Sequence, residues 1–304
     1  MRSELDRVIE TAGQILLGKE QVIRLSLACL LARGHLLIED VPGVGKTTLA
    51  HTLARLLGLN YQRIQFTSDL LPSDILGVSV FDREKQSFHF HPGPVFAQLV
   101  LADEINRATP KAQSALLEAM EEGQVTTDGQ TRPLPQPFFV IATQNPSHQV
   151  GTFPLPESQL DRFLMRVHIG YPQRQAERGL LTGADRRQMI NEQPVILTPR
   201  RLAELQEKAQ QIHVADALLD YCQDLLEHTR NSASLRHGLS PRGGLALLQS
   251  ARAWAMLEGR NQVLPEDIQT ILPSIVGHRL QPLNDLASSQ SSLVRTLLES
   301  VPVP

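Results

Sequence analysis

Cysteine and aromatic residues are scarce in this chain, and their low numbers exclude some classes of protein. Among 304 residues there are 2 cysteines and 1 tryptophan, and aromatic side chains make up 4%. Cys29 and Cys222 lie in apolar helical patterns, so a disulfide scaffold is excluded and we expect buried free thiols in a reducing compartment. The core must be built from the aliphatic residues of a 41% hydrophobic chain.

Long apolar runs and a strong charge excess are also missing. No run of 18 apolar residues occurs, so we expect no membrane-spanning segment. The first six residues are polar and carry no apolar signal core, which favours a cytoplasmic protein. The formal net charge is −3, so the overall charge of the chain does not indicate a nucleic acid partner.

A glycine-rich stretch, Asp40-Val-Pro-Gly-Val-Gly-Lys-Thr-Thr48, follows an apolar run and opens a helical pattern. Strand, glycine-rich loop and helix together are the setting of a phosphate-binding loop. Backbone N–H groups of Gly43–Gly45 and their neighbours can cradle phosphate oxygens at a helix N-terminus, where the helix dipole adds positive charge. We expect Lys46 to reach the β- and γ-phosphates and the Thr47 hydroxyl to bind Mg²⁺. The usual first glycine of the pattern is replaced by Asp40.

Two carboxylates end the next buried strand, Leu99–Ala102. Asp103 and Glu104 follow it directly, and alternation along a strand sends adjacent side chains to different places. We expect Asp103 to hold Mg²⁺ and Glu104 to polarise the attacking water as general base. Asn145 ends a further apolar strand, and strand C-termini are where α/β sheets bind ligands. It is our candidate for touching the γ-phosphate.

Strands alternate with helices up to about residue 170, which predicts an α/β fold with a parallel sheet flanked by helices. We expect a nucleotide-binding core over residues 1–190 and a helical lid domain over 191–304. Three helices of the second part begin at a proline, two of them after a Ser or Thr cap. Two hairpins are expected as inserts, near residues 76–92 and 123–135.

Longer motifs resemble those of the MoxR family of AAA+ ATPases, over most of the chain. The segments that carry the resemblance include the loop at 40–47 and Asp69–Ile75, Gly93–Phe96, Asp103–Ala108, Ala142–Pro146 and Leu155–Phe163. The resemblance implies a P-loop NTPase (AAA+) fold that binds and hydrolyses ATP with Mg²⁺. Residues expected to bind the nucleotide are Gly18, Lys19, Pro42, Gly43, Val44, Gly45, Lys46, Thr47, Thr48, Asp103, Asn145 and Arg242.

Individual roles also follow from the resemblance. It implies that Asn145 is the sensor-1 residue and that Arg162 is an arginine finger that reaches the ATP of a neighbouring subunit. Arg242 would be sensor 2 in the lid, which closes over the nucleotide, and Arg107 is a second candidate for a subunit-contact arginine. The segment Leu16–Lys19 is expected to bind the adenine, because Gly18 allows the base to approach the backbone closely.

The resulting hypothesis is an Mg²⁺-dependent ATPase, a homo-hexamer by resemblance, that remodels or activates a partner protein. The resemblance implies a partner with a von Willebrand A domain. Alternatives are a DNA-dependent ring motor, which the acidic net charge disfavours, and a nucleotide-binding switch without turnover, which Glu104 disfavours. A subunit of a mixed ring, active only beside another chain, also remains open.

Overall fold

The computed structural model describes residues 2–145, 151–183, 185–283 and 290–304. Nine strands lie within these ranges. They are β1 (Leu36–Glu39), β2 (Tyr61–Gln65), β3 (Gly77–Asp82), β4 (Ser87–Pro92), β5 (Leu99–Asp103), β6 (Gln124–Thr127), β7 (Gln130–Pro133), β8 (Phe139–Gln144) and β9 (Met165–Val167).

Thirteen α-helices lie within the same ranges. They are α1 (Arg2–Ile15), α2 (Glu20–Leu31), α3 (Lys46–Leu56), α4 (Pro72–Leu76), α5 (Pro110–Glu122), α6 (Glu157–Leu160), α7 (Arg174–Thr182), α8 (Arg186–Glu192), α9 (Pro199–Gln210), α10 (Asp216–Asn231), α11 (Pro241–Leu257), α12 (Pro265–Val276) and α13 (Gln290–Ser300). Short 3₁₀ turns at Pro94–Phe96 and Ile105–Arg107 flank β5.

The central sheet is five-stranded and parallel, in the order β2-β5-β8-β1-β9. Its middle strands are continuous apolar runs because helices cover both faces, as in other parallel sheets. The register places Leu37 beside Ala142 and Leu101 beside Ile141. The carboxyl ends of β1, β5 and β8 therefore meet at one edge, which confirms the predicted α/β architecture.

The two predicted hairpins are present as β3–β4 and β6–β7. The Asp128-Gly129 turn closes the second hairpin, with positive φ at both residues. The hairpins touch each other, because the guanidinium of Arg132 lies 3.9 Å from the ring centroid of Phe90. The second hairpin contacts α5, the helix that directly precedes it in the chain.

From Pro199 onward, the described residues form helices and the loops between them, and no strand. The predicted starts of α9, α11 and α12 at prolines are confirmed. Thr198 and Ser240 cap the first two by accepting hydrogen bonds from the N–H groups of Arg201 and Gly243. These helices share one hydrophobic core with α1 and α2, in which Leu27, Leu202 and Leu247 are fully buried.

Around the expected domain boundary at residue 190, most of the polar residues 172–195 form α7 and α8. Arg186 donates to the carbonyl of Gln14, and Arg55 donates to the carbonyls of Asn191 and Gln193. Contacts with α1 and α3 thus stabilise α8. No helix among the residues described is long and apolar enough to cross a membrane.

Candidate active site

Two glycines in the loop between β1 and α3 have left-handed backbone conformations. Gly43 has φ +86° and Gly45 has φ +102°, values that residues with a Cβ rarely adopt. A Cβ added at Gly43 would meet nothing within 4 Å, so that glycine faces open space. The loop leads directly into Lys46 at the start of α3, so its N–H groups and the helix dipole point into the same cleft.

Asp40 replaces the usual glycine and fastens the start of the loop. One carboxylate oxygen accepts from the N–H groups of Ile169 (2.7 Å) and Gly170 (2.6 Å), just after β9. The other accepts from the N–H of Val41 at 2.8 Å. The side chain therefore ties the loop to the neighbouring strand end, a role that the motif pattern does not reveal.

Three strand ends converge on a cleft of about 330 Å³. Its lining residues are Pro42, Gly43, Gly45, Lys46, Thr47, Thr48, Arg63, Asp103, Glu104 and Asn145. The structure thus brings together most of the predicted phosphate, metal and base residues. Pro146 of the predicted motif lies outside the described residues.

Asn145 links the lysine to the candidate base. Lys46 Nζ donates to Asn145 Oδ1 at 3.1 Å, and Asn145 Nδ2 donates to Glu104 Oε1 at 3.0 Å. Burial lowers the pKa of Lys46, while the carboxylates of Asp40, Asp103 and Glu104 oppose that change. A group placed between Lys46 and Glu104 would therefore meet a cation, an amide and a carboxylate.

Glu104 has an unusual backbone for a residue with a long side chain. Its φ is 56° and its ψ is 48°, a left-handed conformation that costs on the order of 1–3 kcal/mol outside glycine and is concentrated at functional sites. The N–H of Glu104 donates to Thr143 Oγ1 at 2.9 Å. Arg107 Nε also lies 3.1 Å from Glu104 Oε2, so this arginine contacts the base of its own chain.

Strand β2 contributes two polar residues that the sequence analysis missed. Arg63 donates to Asp103 Oδ2 from Nε (3.1 Å) and Nη2 (2.6 Å). Gln65 Nε2 donates to Glu104 Oε2 at 3.0 Å. The two residues share one face of the strand because they are two positions apart. Their spacing of two residues is the signal by which they could have been found.

Asp103 also accepts from Thr143 Oγ1 at 2.6 Å. The carboxylate is thus fixed by a hydroxyl on one oxygen and by a guanidinium on the other. Thr47 and Asp103 offer a hydroxyl and a carboxylate oxygen in the same cleft, which is the donor chemistry that Mg²⁺ prefers. No group of three or more His, Cys, Asp and Glu side chains suited to a metal occurs in the described ranges. Mg²⁺ commonly binds through one or two protein oxygens plus phosphate.

A second cavity of about 420 Å³ adjoins the loop and shares Gly43, Gly45 and Thr48 with the first. Its further lining residues include Ile15, Leu16, Leu17, Lys19, Val44, Tyr171, Pro172, Leu180 and Leu181. An apolar cavity beside a phosphate-sized cleft fits a nucleoside attached to phosphates. The predicted segment at 16–19 therefore lies where an adenine could bind.

Gly18 and Lys19 also have structural contacts of their own beside this cavity. Gly18 does not line the cavity; its φ is +70°, and an added Cβ would lie 3.4 Å from Ala176 Cβ. Lys19 Nζ donates to the carbonyls of Ile169 (2.7 Å) and Tyr171 (2.8 Å). The glycine makes a turn close to α7, and the lysine fixes the chain after β9.

Arg242 does not line the phosphate cleft of its own chain. Its guanidinium pairs with one oxygen of Glu121 at the end of α5, and Arg162 Nη2 lies 3.0 Å from the other oxygen. These contacts hold the pKa of Glu121 below its usual value, chiefly through Arg242. The start of α11 is therefore held beside α5, and closure of the lid through Arg242 stays a prediction.

Comparison with known proteins agrees with this geometry. Residues 35–165 match the family described as ATPase family associated with various cellular activities (AAA), and residues 227–297 match the AAA lid domain. The chain is 44% identical to the uncharacterized protein YeaC of Bacillus subtilis, over 99% of this chain and 95% of the relative. It is 39% identical to chaperone MoxR1 of Mycobacterium tuberculosis, over 99% and 82%.

A third relative and a solved structure extend the comparison. Protein MoxR of Paracoccus denitrificans is 34% identical, over 95% of this chain and 93% of the relative. A crystal structure from Cytophaga hutchinsonii, provisionally described as an ATPase, superposes with a TM-score of 0.89 at 35% identity. It matches 100% of this chain and 96% of that one.

Proposed function

Since this chain belongs to the MoxR family of AAA+ ATPases, we propose that it couples Mg²⁺-dependent ATP hydrolysis to the remodelling or activation of a partner protein. The match to the AAA family supports ATP hydrolysis, and the relative named chaperone MoxR1 supports a chaperone-like role. We divide the chain into a nucleotide-binding core, 1–190, and a lid, 191–304. The free thiols of Cys29 and Cys222 support a reducing, cytoplasmic location.

The observation that carries the proposal is the bridge through Asn145. Its amide joins Lys46 to Glu104, so one side chain contacts both the cation for the γ-phosphate and the base for the water. Phosphoryl transfer requires positioning and charge stabilisation more than covalent chemistry. We assign Lys46 to the phosphates, Asn145 to the γ-phosphate and Glu104 to the attacking water.

Mg²⁺ would be held by Thr47 and Asp103. When bound, the ion neutralises charge on the β- and γ-phosphate oxygens. Asp103 is oriented for this by Thr143, while the glycines of the loop present N–H groups to the phosphates. Leu16, Leu17 and Val44 would enclose the adenine.

We propose that Arg162 and Arg242 act together on the ATP of a neighbouring copy. Both lie on Glu121, away from the cleft of their own chain, and both are partly exposed. A surface arginine pair on one side and a phosphate cleft elsewhere suit a head-to-tail contact, and such contacts form a ring when the rotation between copies closes. A hexamer is our proposed ring, and arginine fingers contribute about 10³–10⁵ in rate.

The proposed partner carries a von Willebrand A domain, as the family resemblance implies. The surface that we propose for it includes the β3–β4 hairpin, whose Phe88 is 70% exposed. Exposed aromatic groups of this kind commonly mark protein contacts.

Replacement of Glu104 by Gln tests the enzymatic part. The Glu104→Gln protein should bind ATP as the wild type does and release no phosphate, whereas Lys46→Ala should lose ATP binding itself. The Glu104→Gln protein, held in its ATP state, should then retain a partner in a pull-down, with Lys46→Ala as control. A wild-type protein that releases no phosphate with any partner would instead be a nucleotide-binding switch. A rate that DNA stimulates would favour the ring motor.

A further inference from the structure

The segment that carries Arg162 is held mainly by residues from the helical part of the chain. Arg279, just after α12, donates from Nε to Asp161 Oδ1 at 2.7 Å. Its Nη2 donates to the carbonyls of Phe163 (2.7 Å) and Asp161 (3.3 Å). Its Nη1 donates to those of Leu164 (3.1 Å) and Ile275 (2.7 Å). All five N–H groups of this guanidinium thus have an acceptor, four of them on residues 161–164.

Asp161 joins this segment to the helix that carries Arg242. Its second oxygen accepts from the hydroxyl of Ser240 at 3.2 Å, and Ser240 is the N-cap of α11. One carboxylate therefore contacts both Arg279 and the start of α11. Arg162 follows Asp161 directly, and Arg242 lies two residues after Ser240.

The burial of Arg279 distinguishes it from an ordinary surface ion pair. Its side chain is 4% exposed, and an added Cβ at Gly243 would lie 3.4 Å from its Cδ. His278 beside it donates from Nε2 to the carbonyl of Phe163 at 2.9 Å. A planar guanidinium with every donor paired permits little rotation, so residues 161–164 are fixed relative to α11 and α12.

We propose that Asp161, Ser240 and Arg279 are positioning residues that hold Arg162 and Arg242 as one rigid pair for the ATP of the next copy. This inference depends on the proposed function of the two arginines in trans. Glu121 receives one arginine on each oxygen, which keeps both guanidinium groups at one spot. An acceptor with several oxygens, such as a γ-phosphate, can then take both.

Replacement of Arg279 by Gln tests the proposal, with Arg260→Gln as matched control. Arg260 likewise pairs with an aspartate, Asp267 in the helical part, but contacts no residue of the 161–164 segment in its hydrogen bonds. Arg279→Gln should lower kcat by roughly 10- to 100-fold, because small misplacements of a catalytic group cost about that much. Affinity for ATP should stay within about twofold, since the cleft is built elsewhere. Arg260→Gln should keep the wild-type rate.

Mixing two variant chains distinguishes the loss of the arginines that one copy contributes to its neighbour from a general loss of activity. The Lys46→Ala chain lacks a working cleft but has an intact arginine pair. A one-to-one mixture of it with Arg279→Gln should regain about a quarter of the wild-type rate, since half the clefts work and half of those meet a good neighbour. A one-to-one mixture of Arg162→Ala with Arg260→Gln, which is then the only source of arginines, should reach about half of the wild-type rate, since every cleft works and half of them meet a good neighbour.

A milder pair of variants keeps the test valid if Arg279→Gln fails to fold. Ser240→Ala removes the contact with Asp161, and Thr198→Ala removes an equivalent cap from α9. We expect Ser240→Ala alone to lower kcat, by several-fold, at unchanged ATP affinity. Equal rates for each variant and its control would overturn the proposal. If Arg162→Ala itself keeps the wild-type rate, the trans function fails, and this inference fails with it.

Discussion

At the scale of single residues, the candidate metal carboxylate already has a cationic partner. Arg63 donates two hydrogen bonds to Asp103 Oδ2. Mg²⁺ would also bind a carboxylate oxygen of Asp103. The Arg63 side chain is 47% exposed, so it can leave the carboxylate at modest cost. We infer that the arginine and the metal compete for Asp103.

Removal of Arg63 should therefore make Mg²⁺ easier to bind. A partly exposed ion pair contributes up to about 1 kcal/mol, which corresponds to a factor of about five. We expect Arg63→Ala to lower the Mg²⁺ concentration for half-maximal nucleotide-dependent activity by about two- to fivefold, measured by titration at saturating ATP. Arg63→Lys keeps a cation and should lie closer to the wild type. A higher Mg²⁺ requirement in Arg63→Ala would show that the arginine supports the metal.

His278 makes stability depend on pH. The residue is buried, and burial together with Arg279 and Arg166 holds its pKa well below the usual histidine value. Above the ordinary pKa of about 6.5 both folded and unfolded chains are neutral here, so this contribution is complete. As pH falls below about 6.5, the unfolded state binds a proton that the folded state refuses, and stability drops by up to about 1.4 kcal/mol per unit.

The His278→Gln variant tests that dependence. Gln can still donate to the carbonyl of Phe163 but cannot be protonated, so its free energy of unfolding should fall less steeply below pH 6.5. Denaturant titrations between pH 7.5 and 5 measure the difference. The pKa of His35 is lowered to about 4, and that residue contributes equally to both proteins. Parallel pH curves for the two proteins would contradict the assignment to His278.

At the scale of elements, sequence prediction succeeded where a pattern is local. The loop at 40–48, the strand before Asp103 and the hairpin at Asp128-Gly129 each carry their own turn, apolar or glycine signal, and each element is confirmed. Proline after a Ser or Thr cap likewise marked the starts of α9 and α11. These signals need no knowledge of distant residues.

Prediction failed where contacts across the chain decide the outcome. Helix α8 is stabilised by α1 and α3, and the polar composition of its segment alone does not indicate those contacts. Arg63 and Gln65 became visible as site residues only once β2 was paired with β5. The position of Arg242 depends on Ser240 and Asp161, 79 residues apart in sequence, and no local pattern encodes that contact. The catalytic roles of the site residues stay predictions.

The β3–β4 hairpin carries an exposed pair of aromatic side chains. Phe81 and Phe88 face each other across β3 and β4 with ring centroids 5.2 Å apart, and both are exposed. A Phe81→Ser, Phe88→Ser double variant should keep the ATPase rate and weaken partner capture by the Glu104→Gln protein at least about tenfold, as for an aromatic hot spot. Leu219→Ser, on α10, is a control for loss of an exposed apolar group. Undiminished capture would assign the partner to another surface.

At the scale of the whole molecule, the nucleotide cleft and the arginine pair belong to different parts of one chain. The cleft is formed within the chain by β1, β2, β5 and β8, whereas Arg162 and Arg242 lie on Glu121 outside it. Binding of ATP should therefore need one copy, and rapid hydrolysis should need two. The two activities should separate when the protein is diluted.

Dilution of the wild type is accordingly the decisive measurement at this scale. Hydrolysis per chain should fall towards the rate of Arg162→Ala as copies dissociate, since a missing arginine finger costs about 10³–10⁵ in rate. ATP affinity per chain, followed with a fluorescent analogue, should stay constant over the same range, and sedimentation should locate the dissociation. The Arg162→Ala protein should be slow at every concentration, because its neighbours supply no finger. If the rate per chain stays constant where sedimentation finds single copies, the cleft is complete within one chain, and the head-to-tail arrangement is wrong.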